Sequence, residues 1–114
     1  MQVSMVTESE YSLVVVEGGL DASTVDAVVD TVAVVPDERP LIVDLRGVTR
    51  VDGRAAAHLS FVLSARAAQA HVAVVSADVD VTVRFVLAGA DARMPFVGSL
   101  DDAIGLVTGV VARA

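Results

Sequence analysis

The sequence predicts a single α/β domain, a mixed sheet of four to five strands, parallel at its centre and packed with about four helices. Three observations predict it. Short apolar runs alternate with stretches in which apolar residues recur at helical spacing. The polar turn Thr7-Glu8-Ser9-Glu10 lies between two strand-like runs, as a hairpin requires. The chain has 114 residues, enough for one domain and too few for two, so the domain spans 1–114.

Each element has a local reason. Gln2 to Val6 reads as a short strand and Tyr11 to Glu17 as a second, Val-rich one that ends at Gly18-Gly19. Asp21 or Ser23 can cap the helix that follows. In that helix Val25, Val28, Val29 and Val32 recur at helical spacing, with Asp26 and Asp30 facing away. Pro36 and Pro40 bracket a charged loop. Leu41 to Leu45 is the central strand, and a short turn leads from it to a helix over Ala55 to Ala70. In that helix Leu59, Val62, Leu63 and Arg66 occupy neighbouring faces. His71 to Val75 is short and apolar enough for a buried parallel strand. Val79, Val83, Val86 and Leu87 form a third helical stripe, closed by Gly89. Ser99 and Asp102 resemble a capping box for a last helix, whose buried face is Ile104, Val107 and Val111. The order is β-β-α-β-α-β-α-α.

Composition narrows the function. The chain is 54% apolar but only 4% aromatic, so Val, Leu, Ile and Ala must build the core. It has no Cys, hence no disulfide, thiolate nucleophile or Cys-based zinc site, which fits a reducing cytoplasm. The net charge of −7 argues against nucleic acid. All eight basic residues are arginines, which excludes a phosphate-loop lysine and Schiff-base chemistry. The N-terminal segment lacks the pattern of a secretory signal, and no apolar run reaches the length of a membrane span. The expectation is an acidic cytoplasmic domain with no cofactor, no metal and no membrane insertion.

Asp52-Gly53-Arg54-Ala55 occupies the place where an α/β fold carries its function, between the end of a strand and the first N–H groups of a helix. It offers a carboxylate and a guanidinium, but no hydroxyl, thiol or lysine. Other candidates are weaker. A triad of Ser60, His58 and an Asp lacks a nucleophile elbow and places its Ser in mid-helix. Asp44 suits bonds to nearby backbone N–H groups. Thr49, Ser76 and Ser99 are loop hydroxyls that no motif selects, and Ser99 is explained as a cap. His71 has no ligand-like neighbour. Met94 and Phe96 serve either docking or core closure.

The order of elements, with three segments, resembles the STAS domain family, the SpoIIAA-like fold of bacterial anti-sigma factor antagonists. Gly18-Gly19-Leu20-Asp21 is similar to the family's Gly-x-Leu-Asp. LIVDLRGVTRVDGRAAAHLSFVL is similar to its strand, Asp-Leu, Gly-Val, Asp and helix. LAGADARMPFVGSLDDAI is similar to its Gly-hydrophobe-Asp, apolar patch and closing helix. The resemblance covers about Tyr11 to Val111.

It implies a binding module rather than an enzyme. The implied partner is an anti-sigma factor of the Ser/Thr kinase type, bound through Gly19, Leu20, Asp21, Ser23 and Thr24, together with Asp52, Gly53, Arg54, Ala55 and His58. The outcome would be regulation of sigma-factor-dependent transcription in a bacterial stress response. A second role fits the same family, that of a cytoplasmic accessory subunit binding the ATPase of an ABC lipid transporter. An Ala/Val-rich surface also allows a weak homodimer.

The sequence departs from the family at the tetrapeptide. The family's motif is Asp-Ser-Ser-Gly or Asp-Ser-Thr-Gly, and its first Ser accepts phosphate. Here Gly53 stands at that place and Arg54 at the second hydroxyl. A phosphate adds about −1.5 to −2 charges and breaks a partner interface by repulsion and desolvation. Gly53 can neither carry nor mimic it. Two readings stand at this point: loss of the phosphoswitch at Gly53, or Gly53 as only a permissive backbone position with Arg54 as a solvated surface residue.

Overall fold

The computed structural model describes residues 1–90 and 94–109. Two strands open the chain, β1 (Gln2–Thr7) and β2 (Ser12–Leu20), followed by α1 (Val25–Val34), β3 (Leu41–Val51) and α2 (Gly53–Ala67). Then come β4 (Val72–Val75), α3 (Val79–Leu87), β5 (Phe96–Val97) and α4 (Leu100–Thr108). The sheet order is β1-β2-β3-β4-β5. β1 pairs antiparallel with β2, and every other pairing is parallel.

Alternation along the strands splits the core into two layers. Leu41, Val43 and Leu45 of β3 join Val14, Val16, Val72 and Val74 on one face, under α1, α2 and α3. Ile42, Ala73 and Val75 point the other way, to Ala103 and Val107 of α4. Both faces of β3 and β4 are therefore covered, which is why these strands read as continuous apolar runs. Burying each Val or Leu side chain contributes about 1.5–3 kcal/mol.

Several expectations need correction. β2 does not end at Gly18-Gly19. Gly18 takes φ +100°, and the register shifts beside it, so the strand passes through an irregularity and runs on to Leu20. β3 does not stop at Leu45 either. It continues to Val51 because its polar second half still pairs with β2. α2 begins at Gly53, two residues early, and β5 was not expected; two residues are too short to leave a periodic signal. Neither Asp21 nor Ser23 occupies the cap position of α1. Thr24 does, while the Asp21 carboxylate organises the turn before it.

The stripe Val79, Val83, Val86 and Leu87 is the exposed side of α3, not the buried one. Val81 and Phe85 enter the core instead, and Phe85 meets Phe96 with ring centroids 5.7 Å apart. Met94 is buried, so it closes the core. Ser99 caps α4, accepting from Asp102 N at 3.2 Å, as expected. Asp91 and Val111 lie outside the described residues.

At the N-terminal end of the parallel strands two guanidinium groups lace the loops. Arg66, buried on α2, donates to the carbonyls of Val35 (2.9 Å) and Pro36 (2.6 Å), and at 3.5 Å to that of Val32. These carbonyls lie in the last turn of α1 and just past its end; Val32 O also accepts from Val35 N (3.1 Å) and Pro36 O from Arg39 N (3.0 Å). Asp37 lies 3.6 Å from the same guanidinium. Arg39 bridges from the α1–β3 loop to the hairpin, donating to Ser12 Oγ and Tyr11 O, each at 2.8 Å, and to Glu8 O.

Candidate functional site

β2 and β3 stay paired to their last residues, Gly19 with Arg50 and Leu20 with Val51. Beyond them one chain turns into α1 and the other into α2. Asp52 N donates to Leu20 O at 2.8 Å, which holds the two departures side by side. The site is thus a ridge at the C-terminal ends of two parallel strands, where open α/β sheets place their binding surfaces.

The β2–α1 turn is built around Asp21. Its Oδ1 accepts from Ser23 Oγ (2.7 Å), Ser23 N (2.9 Å) and Thr24 N (3.2 Å). The Ser23 hydroxyl and amide lead in holding the Asp21 carboxyl below its ordinary pKa. Thr24 Oγ1 donates to Gly19 O at 2.9 Å, which closes the turn. Arg50 reaches across from β3 to Asp21 Oδ2 at 3.3 Å, an exposed pair of small energetic weight.

Asp52 is the N-cap of α2. Its backbone is extended (φ −78°, ψ 141°) and its carboxylate accepts from Arg54 N at 2.7 Å. Such a cap stabilises a helix by about 1 kcal/mol. Gly53 follows as the first helical residue. It is not among the glycines with positive φ, and a Cβ built on it meets nothing within 4 Å. Neither backbone nor space requires glycine there.

The structure sorts the expected site residues into two groups. Ser23, Asp52, Gly53, Arg54 and His58 are exposed, and Gly19, Asp21 and Thr24 are half-buried. Leu20 and Ala55 are buried, so they support the ridge from beneath and present no side chain to a partner. His58 Nδ1 lies 4.0 Å from Asp26 Oδ1 on α1, between two largely exposed side chains. Asp44 stands apart in β3, where its carboxylate binds the Arg46 amide (3.0 Å) and guanidinium (3.0 and 2.8 Å). Ser60 is buried in mid-helix, which removes it from any surface chemistry.

α3 supplies what sequence reasoning placed elsewhere. Val79 is 75% exposed and Leu87 82%, with Val83 and Val86 beside them. Arg84, Leu87 and Ala88 form with Gly53 a hollow of about 190 Å³ at the start of α2. On α2, Phe61 is 76% exposed, and Arg54, His58 and Phe61 share one stripe at helical spacing. Isolated exposed apolar residues are ordinary; of these, Leu87 is the one placed beside the start of α2. The signal was present in the sequence: α3 carries two apolar stripes, and periodicity alone does not say which faces the core. Among the described residues no helix is long and apolar enough to cross a membrane.

The STAS domain family model matches residues 2–103. A comparison with curated protein sequences returns no match. Among solved structures, an anti-sigma factor antagonist from Mycobacterium paratuberculosis is similar, with a TM-score of 0.77 and 25% identity over 93% of this chain and 92% of that one. The anti-sigma factor antagonist SpoIIAA in its unphosphorylated form gives a TM-score of 0.70 at 14% identity, covering 97% of this chain and 100% of that one. A DUF3478-family protein with a SpoIIAA-like fold from Shewanella loihica gives 0.58 at 13% identity, over 93% and 92%. The last two likenesses concern the fold. With its five-stranded mixed sheet and four described helices, the chain belongs to the STAS domain family.

Proposed function

We propose that the chain is an anti-sigma factor antagonist. It binds a kinase-type anti-sigma factor in the cytoplasm, without catalysis of its own, and so frees a sigma factor for transcription. The observation that carries this reading is the exposed apolar side of α3, whose Leu87 lines a hollow with Gly53 next to the cap residue Asp52. An apolar patch with a polar rim has the make-up of a protein-binding surface. The anti-sigma factor antagonists of the same fold supply the class of partner.

Binding runs without the usual serine phosphoswitch. Gly53 has no hydroxyl, and Arg54 adds a positive charge at the first turn of α2. A phosphorylated partner surface would be repelled; this one stays competent in the presence of ATP. The ridge is pre-organised by Asp21 and Asp52, so little ordering entropy opposes docking.

The test is incubation with the cognate anti-sigma factor and ATP, followed by mass analysis and by affinity capture from the native cell. Capture of an anti-sigma factor with no mass gain supports the reading. Phosphate on a residue near Asp52 would sink the unswitched mechanism. Recovery of a transport ATPase in place of an anti-sigma factor would assign the chain to an ABC lipid transporter instead.

A further inference from the structure

We infer that the hollow between the start of α2 and the end of α3 is a socket for one side chain of the partner, apolar and flanked by a carboxylate. Gly53 is the residue that keeps the socket open. The inference rests on the proposed function, because the hollow lies in the surface assigned there to the anti-sigma factor.

Glycine at position 53 weakens the helix and gives the fold nothing in return. It loses more backbone freedom on folding than any other residue, and α2 begins with it. It is not among the glycines with positive φ, and a Cβ added to it would meet nothing within 4 Å. Gly19, across the ridge, is different. A Cβ there would come within 2.8 Å of Arg50 Nε, so close packing accounts for that glycine. At Gly53 the missing side chain leaves open space, where the hollow of about 190 Å³ lies.

The lining selects the occupant. Among the described residues, Arg84, Leu87 and Ala88 complete the wall. The space admits one aliphatic side chain, of the size of Leu or Met, and no larger element. Such a side chain would cover Leu87, the most exposed large apolar residue described, and exclude water from it. Val83, exposed one turn earlier on α3, continues the apolar surface away from the socket. Arg84 is the only charge in the wall. Its guanidinium has no hydrogen-bond or ion-pair partner among the described residues, so it offers free donors to a carboxylate at the mouth. A second copy of the chain fits badly. A twofold contact centred on the socket would set Arg84 against Arg84, like charge against like.

Titration calorimetry against the anti-sigma factor, without ATP, tests this on the wild type, Gly53→Ala, Gly53→Leu and Arg84→Gln, with a melt of each. Neither Ala nor Leu carries a hydroxyl, so no phosphate at position 53 enters the comparison. Affinity should fall in steps as the socket fills, by about threefold for Gly53→Ala and at least about tenfold for Gly53→Leu. Both melting points should stay level or rise, because alanine and leucine are better helix formers than glycine. Arg84→Gln should weaken binding by at least about threefold at low salt and flatten its loss with added salt. Wild-type binding that Gly53→Leu leaves intact overturns the socket, while the proposed function stands. Binding indifferent to Arg84→Gln and to salt does the same. So does a loss in Gly53→Leu that only follows a lowered melting point, with Gly53→Ala at wild-type affinity. A wild-type chain that self-associates, and stops doing so in Gly53→Leu, makes a second copy the occupant and overturns the inference too. A wild type that does not bind the anti-sigma factor overturns the proposed function, and the socket with it.

Discussion

The two ends of the parallel strands are built on opposite plans. At the N-terminal end, arginines are spent on structure: Arg66 and Arg39 each bind several backbone carbonyls and tie neighbouring loops together. At the C-terminal end the arginines are exposed. Arg50 pairs only with Asp21, among the described residues, and Arg54 and Arg84 stand at the surface beside uncovered valines and Leu87. One end holds the fold, and the other is the one that the proposed function assigns to contact. A given residue type therefore reports stability or recognition according to the end it occupies.

Arg66→Met should break the first end most severely. It removes charge-assisted bonds to the carbonyls of buried Val35 and of Pro36, a loss of about 2–4 kcal/mol. A thermal or urea melt measures this. Below the lowered melting point the variant should still bind its partner, because the proposed contact surface lies at the other end. Loss of binding in the folded variant would show that the two ends are not separate.

Leu87→Asp should do the reverse. Partner affinity should fall by at least about tenfold, as for a residue central to an interface, while stability moves within about 0.5 kcal/mol. Titration calorimetry and a melt give the two numbers. Asp52→Ala belongs to both classes, because the carboxylate caps α2 and lies in the ridge. Its melt should show a loss of about 1 kcal/mol.

Much of this division was legible in the sequence, and the rest was not for physical reasons. Val25, Val28 and Val32 are on the buried face of α1 as their spacing indicated, and Ser99 caps α4. The passage from β3 into α2 through Asp52 is legible because strand, Asp and helix follow one another there. The buried side of α3 is not legible from periodicity because the helix is apolar on two sides. Val81 and Phe85 satisfy the core, and the remaining valines were free to face solvent. The roles of Arg66 and Arg39 depend on residues about thirty positions away, which no local pattern encodes. The length of β3 was missed because its second half is polar on one side and depends on β2 for partners.

Asp44 provides a smaller effect, tied to pH. Burial pushes its carboxyl up, but the hydrogen bonds and charge of Arg46 outweigh burial, and the net shift is downward from 3.8. A folded pKa below the unfolded one means the stabilisation is complete above the unfolded value and is lost as pH falls through the folded one. Urea midpoints measured from about pH 5 downward should therefore fall for the wild type and change less for Asp44→Asn. Equal slopes would remove Asp44 from the acid response.

Gly53→Ser should have the least effect on stability, within about 0.5 kcal/mol, because its new Cβ enters open space. Its effect on regulation makes it the sharpest comparison with the wild type. The direct measurement is titration calorimetry against the anti-sigma factor, before and after incubation with ATP, for both proteins. The wild type should bind equally well in both states and gain no phosphate, while Gly53→Ser should gain one and lose affinity. A wild-type chain that becomes phosphorylated and lets go of its partner would contradict the account.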